Sequence, residues 1–384
     1  MKYKIFDSDR HVVEPMELWE NYVDKKEIAN EVVSLKHDSL EAAQIRVNKY
    51  NNLRYGAQLI PTLYIGDYPI FKNWHETLQV ESTFQQDNSQ IERLSAMSGE
   101  GQLASLDQQG IHKAAIFPTF ASYVINHDKV SPSSSLAYAQ GYNLWLGDYV
   151  KGREDRLLPV GAISRHDPAT LVSQVEKIAN LGWTTVSIRP EVINGHTLGS
   201  EAYEEFWHKC QEHNIGICLH GGSNLYGSTI GSERFTSRFG LHACSHPMEL
   251  QMAFVSLLEN GVFERFPQLK FALLEGGGSW VPYWLWRLDN ICYPEYPNLV
   301  SQNMKMLPSE YFKKHCWISI EDGEPCLREL ISYIGSDRLL YGSDYPHPDH
   351  LHLNINDDQS AFSELSSVEK TQLYENNPRD FFNF

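Results

Sequence analysis

From residue 93 onward, short and almost continuously apolar runs alternate with stretches of helical spacing, and this alternation constrains the fold more than any other feature. The runs fall at 113–119, 157–163, 184–188, 215–220, 270–275, 315–321 and 337–344. Between them lie helical patterns at 94–109, 136–149, 168–180, 201–213, 247–260 and 325–333, and a tryptophan-rich segment after 279. Several of these patterns stop at a glycine, as C-capped helices do. An earlier run, 3–11, brings the strands to eight. Strands that are apolar on both faces and separated by helices belong to a parallel sheet covered on both sides. Eight such units predict a (β/α)8 barrel, with an open doubly wound sheet as the alternative. No Gly-x-Gly-x-x-Gly opens a helix after an early strand, and Gly276-Gly277-Gly278 lacks that spacing, so a dinucleotide fold finds no support. The whole chain reads as one domain. Residues 25–92 form an insertion after the first strand, expected as short helices and loops over one face. Its aromatics (Tyr55, Tyr64, Tyr68, Phe71, Trp74) are candidates to line a pocket or simply to pack.

The ends of the predicted strands carry the chemistry. In a barrel, catalytic groups come from the C-terminal strand ends. Alternation along the first strand puts Asp7, Asp9 and His11 on one face. The fourth strand leads to Arg189, the fifth to His220, the sixth to Glu275, the seventh to Glu321 and the eighth to Asp344, with His347 on a proline-flanked turn just beyond. His220 precedes Gly221-Gly222 and Glu275 precedes three glycines, an arrangement that leaves room for close approach. Any one of these residues could be a helix cap, a rim ion pair or a satisfied core histidine. Two imidazoles and three carboxylates converging on one rim suit a divalent metal better. Arg189 is a candidate for catalysis and for holding a substrate carboxylate in bidentate fashion. Trp280 is a candidate for an apolar substrate wall.

The formal charge of −17 argues against nucleic acid and anionic membrane as partners, since both need a basic face. No run of eighteen apolar residues predicts a membrane span. The N-terminus lacks the apolar stretch of a signal peptide, and the six scattered cysteines read as reduced thiols, so the cytoplasm is expected. The expected partner is a small-molecule substrate, with a homo- or hetero-oligomer left open.

Four motifs together resemble the amidohydrolase-related family that includes aminocarboxymuconate-semialdehyde and resorcylate decarboxylases. They are Asp7-x-Asp9-x-His11-x-x-Glu14-Pro15, Leu219-His220-Gly221-Gly222, Glu275-Gly276-Gly277-Gly278-Ser279-Trp280 and Gly342-Ser343-Asp344-Tyr345-Pro346-His347. The resemblance implies a barrel that holds metal on Asp9, His11, His220 and Asp344. Two departures stand out. The first-strand pair is Asp-x-His rather than His-x-His. The sixth strand ends in Glu275, where the decarboxylases place a histidine used in proton transfer.

Glu275 therefore admits two roles. As a general base beside a single zinc, it would serve a hydrolase of C–N, C–O or C–C bonds. As a ligand to a second metal, with His347, it would give a dinuclear iron or iron–manganese site, because oxygen-rich and imidazole donors suit those metals. Some relatives with this pattern are dinuclear monooxygenases, so the favoured expectation is an O2-dependent hydroxylase. Hydrolysis and non-oxidative decarboxylation are the alternatives.

Overall fold

The computed structural model describes residues 3–37, 61–70, 89–222, 229–235, 237–321, 323–347 and 361–384. The strands in chain order are β1 (Phe6–His11), β2 (Val33–His37), β3 (Pro61–Ile65), β4 (Tyr68–Pro69), β5 (Lys113–Phe117) and β6 (Leu157–Pro159). They continue with β7 (Gly161–Ala162), β8 (Thr185–Ile188), β9 (Gly216–His220), β10 (Phe271–Leu274), β11 (Cys316–Ile320) and β12 (Leu339–Tyr341).

Apart from β2 to β4, every pairing is parallel, as runs buried on both faces require. One sheet has the order β1-β5-β6 and the other runs β12-β11-β10-β9-β8-β7. Only Val160 separates β6 from β7, and its N–H donates to Ile116 O at 3.2 Å, so the two sheets join there along one strand. At the other seam His11 N–H donates to Tyr345 O (2.7 Å) and Asp344 N–H to Asp9 O (2.9 Å). The first and last strands thus lie side by side, giving the eight-stranded barrel that the alternation predicts.

Side chains fill the barrel. Phe6, Ala115, Phe117, Val160, Cys218, Ala272, Leu274, Trp317 and Leu340 form one buried cluster that Phe381 and Phe382 of the helix Asn377–Phe382 close at the strands' N-terminal end. That end is therefore a packed floor. The opposite rim is left to the polar strand ends.

The described part of the insertion differs from expectation. β2, β3 and β4 form a three-stranded antiparallel sheet rather than helices and loops, because Val33, Leu63 and Ile65 alternate inward at strand spacing. It sits at the rim carrying the strand ends. Glu31 accepts from Ser131 N–H (3.0 Å) and Oγ (2.7 Å) at the N-terminus of the helix Pro132–Val150, and the Tyr68 ring lies 6.1 Å from His127. Tyr55, Phe71 and Trp74 lie outside the described residues.

A second difference bears on the site. The helix expected to begin at Pro247 runs from Arg238 to Glu259, capped by Ser237, whose side chain accepts from Gly240 N–H. Proline reads as a helix start because it lacks an N–H and presets φ, yet here it lies inside the helix. The extra turns carry His242 and His246.

Candidate metal centre

β1 is buried along its whole length and has a register shift between Asp7 and Arg10. The irregularity separates residues that strict alternation would align. Asp9 and His11 reach the rim. Asp7 instead pairs with Arg10 (3.2 Å) and accepts from Ser343 N–H (2.9 Å) and Oγ–H (2.6 Å), tying the start of the Asp344 turn to the first strand.

Around His11 the donor atoms lie unusually close. His11 Nε2 is 3.1 Å from His220 Nε2, 3.3 Å from Asp9 Oδ1 and 3.2 Å from Asp344 Oδ1, and His220 Nε2 is 3.2 Å from Asp9 Oδ1. Donors about 2.1 Å from one cation lie roughly 3.0 to 3.4 Å apart at adjacent corners of its coordination polyhedron. The observed separations match. Two overlapping groups have the geometry to hold a cation: Asp9, His11 and His220, and His11, Asp344 and His347.

The far ring nitrogens support the same use. His11 Nδ1 faces Pro118 O at 2.9 Å and His220 Nδ1 faces Gly221 O at 3.1 Å. A carbonyl only accepts, so each Nδ1 carries the proton and each Nε2 lone pair points inward, the arrangement of metal-binding histidines.

The electrostatics agree. Burial opposes charge at His11, yet the hydrogen bonds and charges of Asp344 and Asp9 raise it well above its ordinary value. Burial is likewise outweighed at Asp344, which His347 and His11 hold far below the carboxylate range, and at Asp9, which His220 and His11 lower. The cluster stabilises positive charge at its centre, whether proton or cation.

His347 sits at the edge. Its Nδ1 meets Asp344 Oδ1 at 2.7 Å, its Nε2 meets Thr119 Oγ1 at 2.9 Å, and its ring centroid is 4.1 Å from that of His11. Glu275 lies on the outer side of His220, with Oε2 3.5 Å from His220 Nδ1 and 3.7 Å from His246 Nε2. Glu275 and Asp344 both have positive φ, at 57° and 54°. Two non-glycine strand ends in that costly region are a mark of functional sites.

The other candidates do not present a free group to the centre. Arg189 is buried, and its guanidinium is engaged by Glu191 and two backbone carbonyls rather than open to a ligand. Trp280 is half-buried against the outer core just before the helix Val281–Arg287, and its indole N–H has no hydrogen-bond partner among the described residues. Glu321 is exposed.

Three participants escape a reading of strand ends. Glu14 is buried, and its carboxylate accepts from the N–H groups of Thr119 (2.9 Å), Phe120 (2.9 Å) and Ala121 (3.1 Å), capping the helix Phe120–Ile125. Thr119 in turn holds His347. The third is His246, buried, with its Nε2 lacking a hydrogen-bond partner among the described residues. Burial, then His242, pushes its pKa well below the usual imidazole value, so it is neutral. The glycines were the available signal. A Cβ on Gly221 would come within 3.1 Å of the His246 ring, and one on Gly276 within 2.4 Å of Leu250, on the same helix. They are small in order to admit the helix that carries His246.

Comparison with known proteins places this geometry in context. The amidohydrolase family profile matches residues 93–384. The 2-amino-3-carboxymuconate-6-semialdehyde decarboxylase of Dictyostelium discoideum is 24% identical over 218 residues, covering 56% of this chain and 58% of that protein. The chain therefore matches a little over half the length of that relative. Among solved structures, an amidohydrolase from Mycobacterium avium subsp. paratuberculosis superposes with a TM-score of 0.76 at 21% identity, covering 100% of both chains. The 5-carboxyvanillate decarboxylase of Novosphingobium aromaticivorans superposes with a TM-score of 0.68 at 17% identity, covering 100% of this chain and 96% of that one. That structure contains manganese and 4-hydroxy-3-methoxy-5-nitrobenzoic acid. At these identities the structural likeness establishes the fold.

Proposed function

This chain belongs to the amidohydrolase family, and from that premise we propose that it is a metal-dependent enzyme that removes a carboxylate from a small unsaturated or aromatic acid without an oxidant. The observation that carries the reading is the set of donor atoms 3.1 to 3.3 Å apart around His11 Nε2. Asp9, His11, His220 and Asp344 would hold one divalent cation, and manganese in the solved decarboxylase supports that choice. When bound, the cation supplies a Lewis acid that binds oxygen atoms of the substrate and stabilises negative charge on them.

Decarboxylation breaks one C–C bond and releases CO2. The electron pair stays on the substrate carbon, which then takes a proton. Glu275 Oε2 lies 3.7 Å from His246 Nε2, and the two would relay that proton from solvent, His246 supplying the imidazole that the sixth strand end lacks. Asp344 and the Thr119–His347 contact hold the opposite side of the rim in place. The test is CO2 release from a panel of hydroxylated aromatic and unsaturated carboxylic acids under strict exclusion of oxygen, with manganese supplied. Turnover that requires O2 would defeat this reading.

A second reading, a dinuclear iron or iron–manganese monooxygenase, draws on a separate observation. The donor group His11, Asp344 and His347 overlaps the first, and the family resemblance puts a histidine where Glu275 stands. Metal analysis of protein purified without oxygen separates the two: one equivalent for the decarboxylase, two irons with oxygen-dependent spectral change for the monooxygenase.

A further inference from the structure

Arg189 follows β8 at the same rim as His220. Among the described residues its guanidinium makes four hydrogen bonds. Nε and Nη2 grip the two oxygens of Glu191 at 3.1 and 2.6 Å, Nη1 donates to Gly221 O at 2.7 Å, and Nη2 donates to Gly222 O at 2.9 Å. Arg165 secures the segment from behind: its Nη1 donates to the carbonyls of Arg189 (2.6 Å) and Glu191 (2.8 Å). Arg165, Arg189 and Glu191 are all buried.

The Gly221 carbonyl is the point of contact with the metal centre. A carbonyl oxygen has two lone pairs. One receives Arg189 Nη1–H and the other receives His220 Nδ1–H, at 2.7 and 3.1 Å. Fixing that oxygen fixes both the tautomer and the tilt of the His220 ring, and so the direction of its Nε2 lone pair. A competitor stands close by, because Glu275 Oε2 is 3.5 Å from the same Nδ1. Were the carbonyl to drift, the Nδ1–H would turn toward the carboxylate and carry Nε2 away from Asp9 and His11. Gly222 belongs to the same device. A Cβ there would lie 2.3 Å from Arg189 Nη1, so only glycine lets the guanidinium reach the two carbonyls.

We propose that Arg189 is a positioning residue for His220, acting through the Gly221 carbonyl rather than on the substrate, and that Gly222 is glycine to admit it. The proposal rests on the reading that His220 binds the metal. Outer contacts that orient a ligating histidine typically contribute 10- to 100-fold to metal affinity.

The experiment measures Mn2+ binding isotherms for the wild type, Arg189→Met, Arg189→Lys, Gly222→Ala and His220→Ala. A thermal melt accompanies each, and the imidazole 15N spectrum of His220 is recorded without metal for all but His220→Ala. Arg189→Met and Gly222→Ala should weaken binding by about 10- to 100-fold and shift the His220 Nδ1 signal, and Arg189→Lys should fall between them and the wild type. A cooperatively melting Gly222→Ala or Arg189→Met that keeps the wild-type dissociation constant and His220 spectrum overturns the proposal while leaving the metal reading intact. A wild type that binds no Mn2+ sinks both. Should Arg189→Met fail to fold, the Gly222→Ala isotherm decides.

Discussion

Replacing Glu14 by alanine tests the link between the first strand and the His347 side of the rim, and its effect has a pH signature. The Glu14 carboxylate, 5% exposed, accepts three backbone N–H groups, those of Thr119, Phe120 and Ala121. Removing it orphans three donors at about 1 kcal/mol each, or about 3 kcal/mol against the protonated side chain. Burial, only partly countered by the three N–H groups, raises the Glu14 pKa from 4.5 to about 6. Between those values the folded chain keeps a proton that the unfolded chain has lost, so the stability Glu14 confers falls as pH rises through this window. A shift of about 1.5 units is worth about 2 kcal/mol. Glu14→Ala should therefore cost about 2.5 kcal/mol near pH 4.5 and about 1 kcal/mol near pH 7.5. Urea unfolding of both proteins at the two pH values measures this, and amide exchange at Phe120 and Ala121 should quicken in the variant. An equal cost at both pH values, or a larger one at the higher pH, would refute the reasoning.

Manganese at about a hundred times its dissociation constant should stabilise the wild type by about 2.7 kcal/mol, seen as a rise in melting temperature, and Asp9→Asn and His220→Ala should lose that rise. An undiminished rise in either removes that residue from the centre. His246→Ala and Glu275→Gln should keep one metal equivalent and slow turnover by about 10² to 10⁴, the usual contribution of a general acid–base group; loss of an equivalent instead would favour the two-metal reading. Burial first, then the charge of Glu191, pushes Glu249 up to about 7, so stability falls as pH rises from the ordinary carboxylate range to neutrality, and Glu249→Gln should be more stable than the wild type at pH 8 but not near pH 4.5. Gly199→Ala should destabilise by about 1 to 3 kcal/mol, because its Cβ would lie 2.2 Å from Ser256 O, and a melt within a degree of the wild type would contradict that.

The barrel was legible in the sequence because its cause is local. A strand buried on both faces has to be apolar along its length, and a polar group ending such a strand stands out without any knowledge of its neighbours. That is why Asp9, His11, His220, Glu275 and Asp344 could be named in advance, and why the chain order placed them on one rim. Pro247 mimics a helix N-terminus and so hides the true start of the helix Arg238–Glu259, and with it His246. What each polar residue touches depends on contacts that no local pattern encodes. Glu14 meets residues more than a hundred positions away, and Asp7 meets Ser343 across the closing seam. Arg189, at the rim by its place after a strand and a candidate to hold a substrate carboxylate, is taken up instead by Glu191 and by the carbonyls that the glycines after His220 let it reach. Strand identity follows from the burial of each residue's own neighbours along the chain. The role of a charged group follows from which distant charges and carbonyls the closed barrel brings within hydrogen-bond reach, and only the tertiary structure decides that.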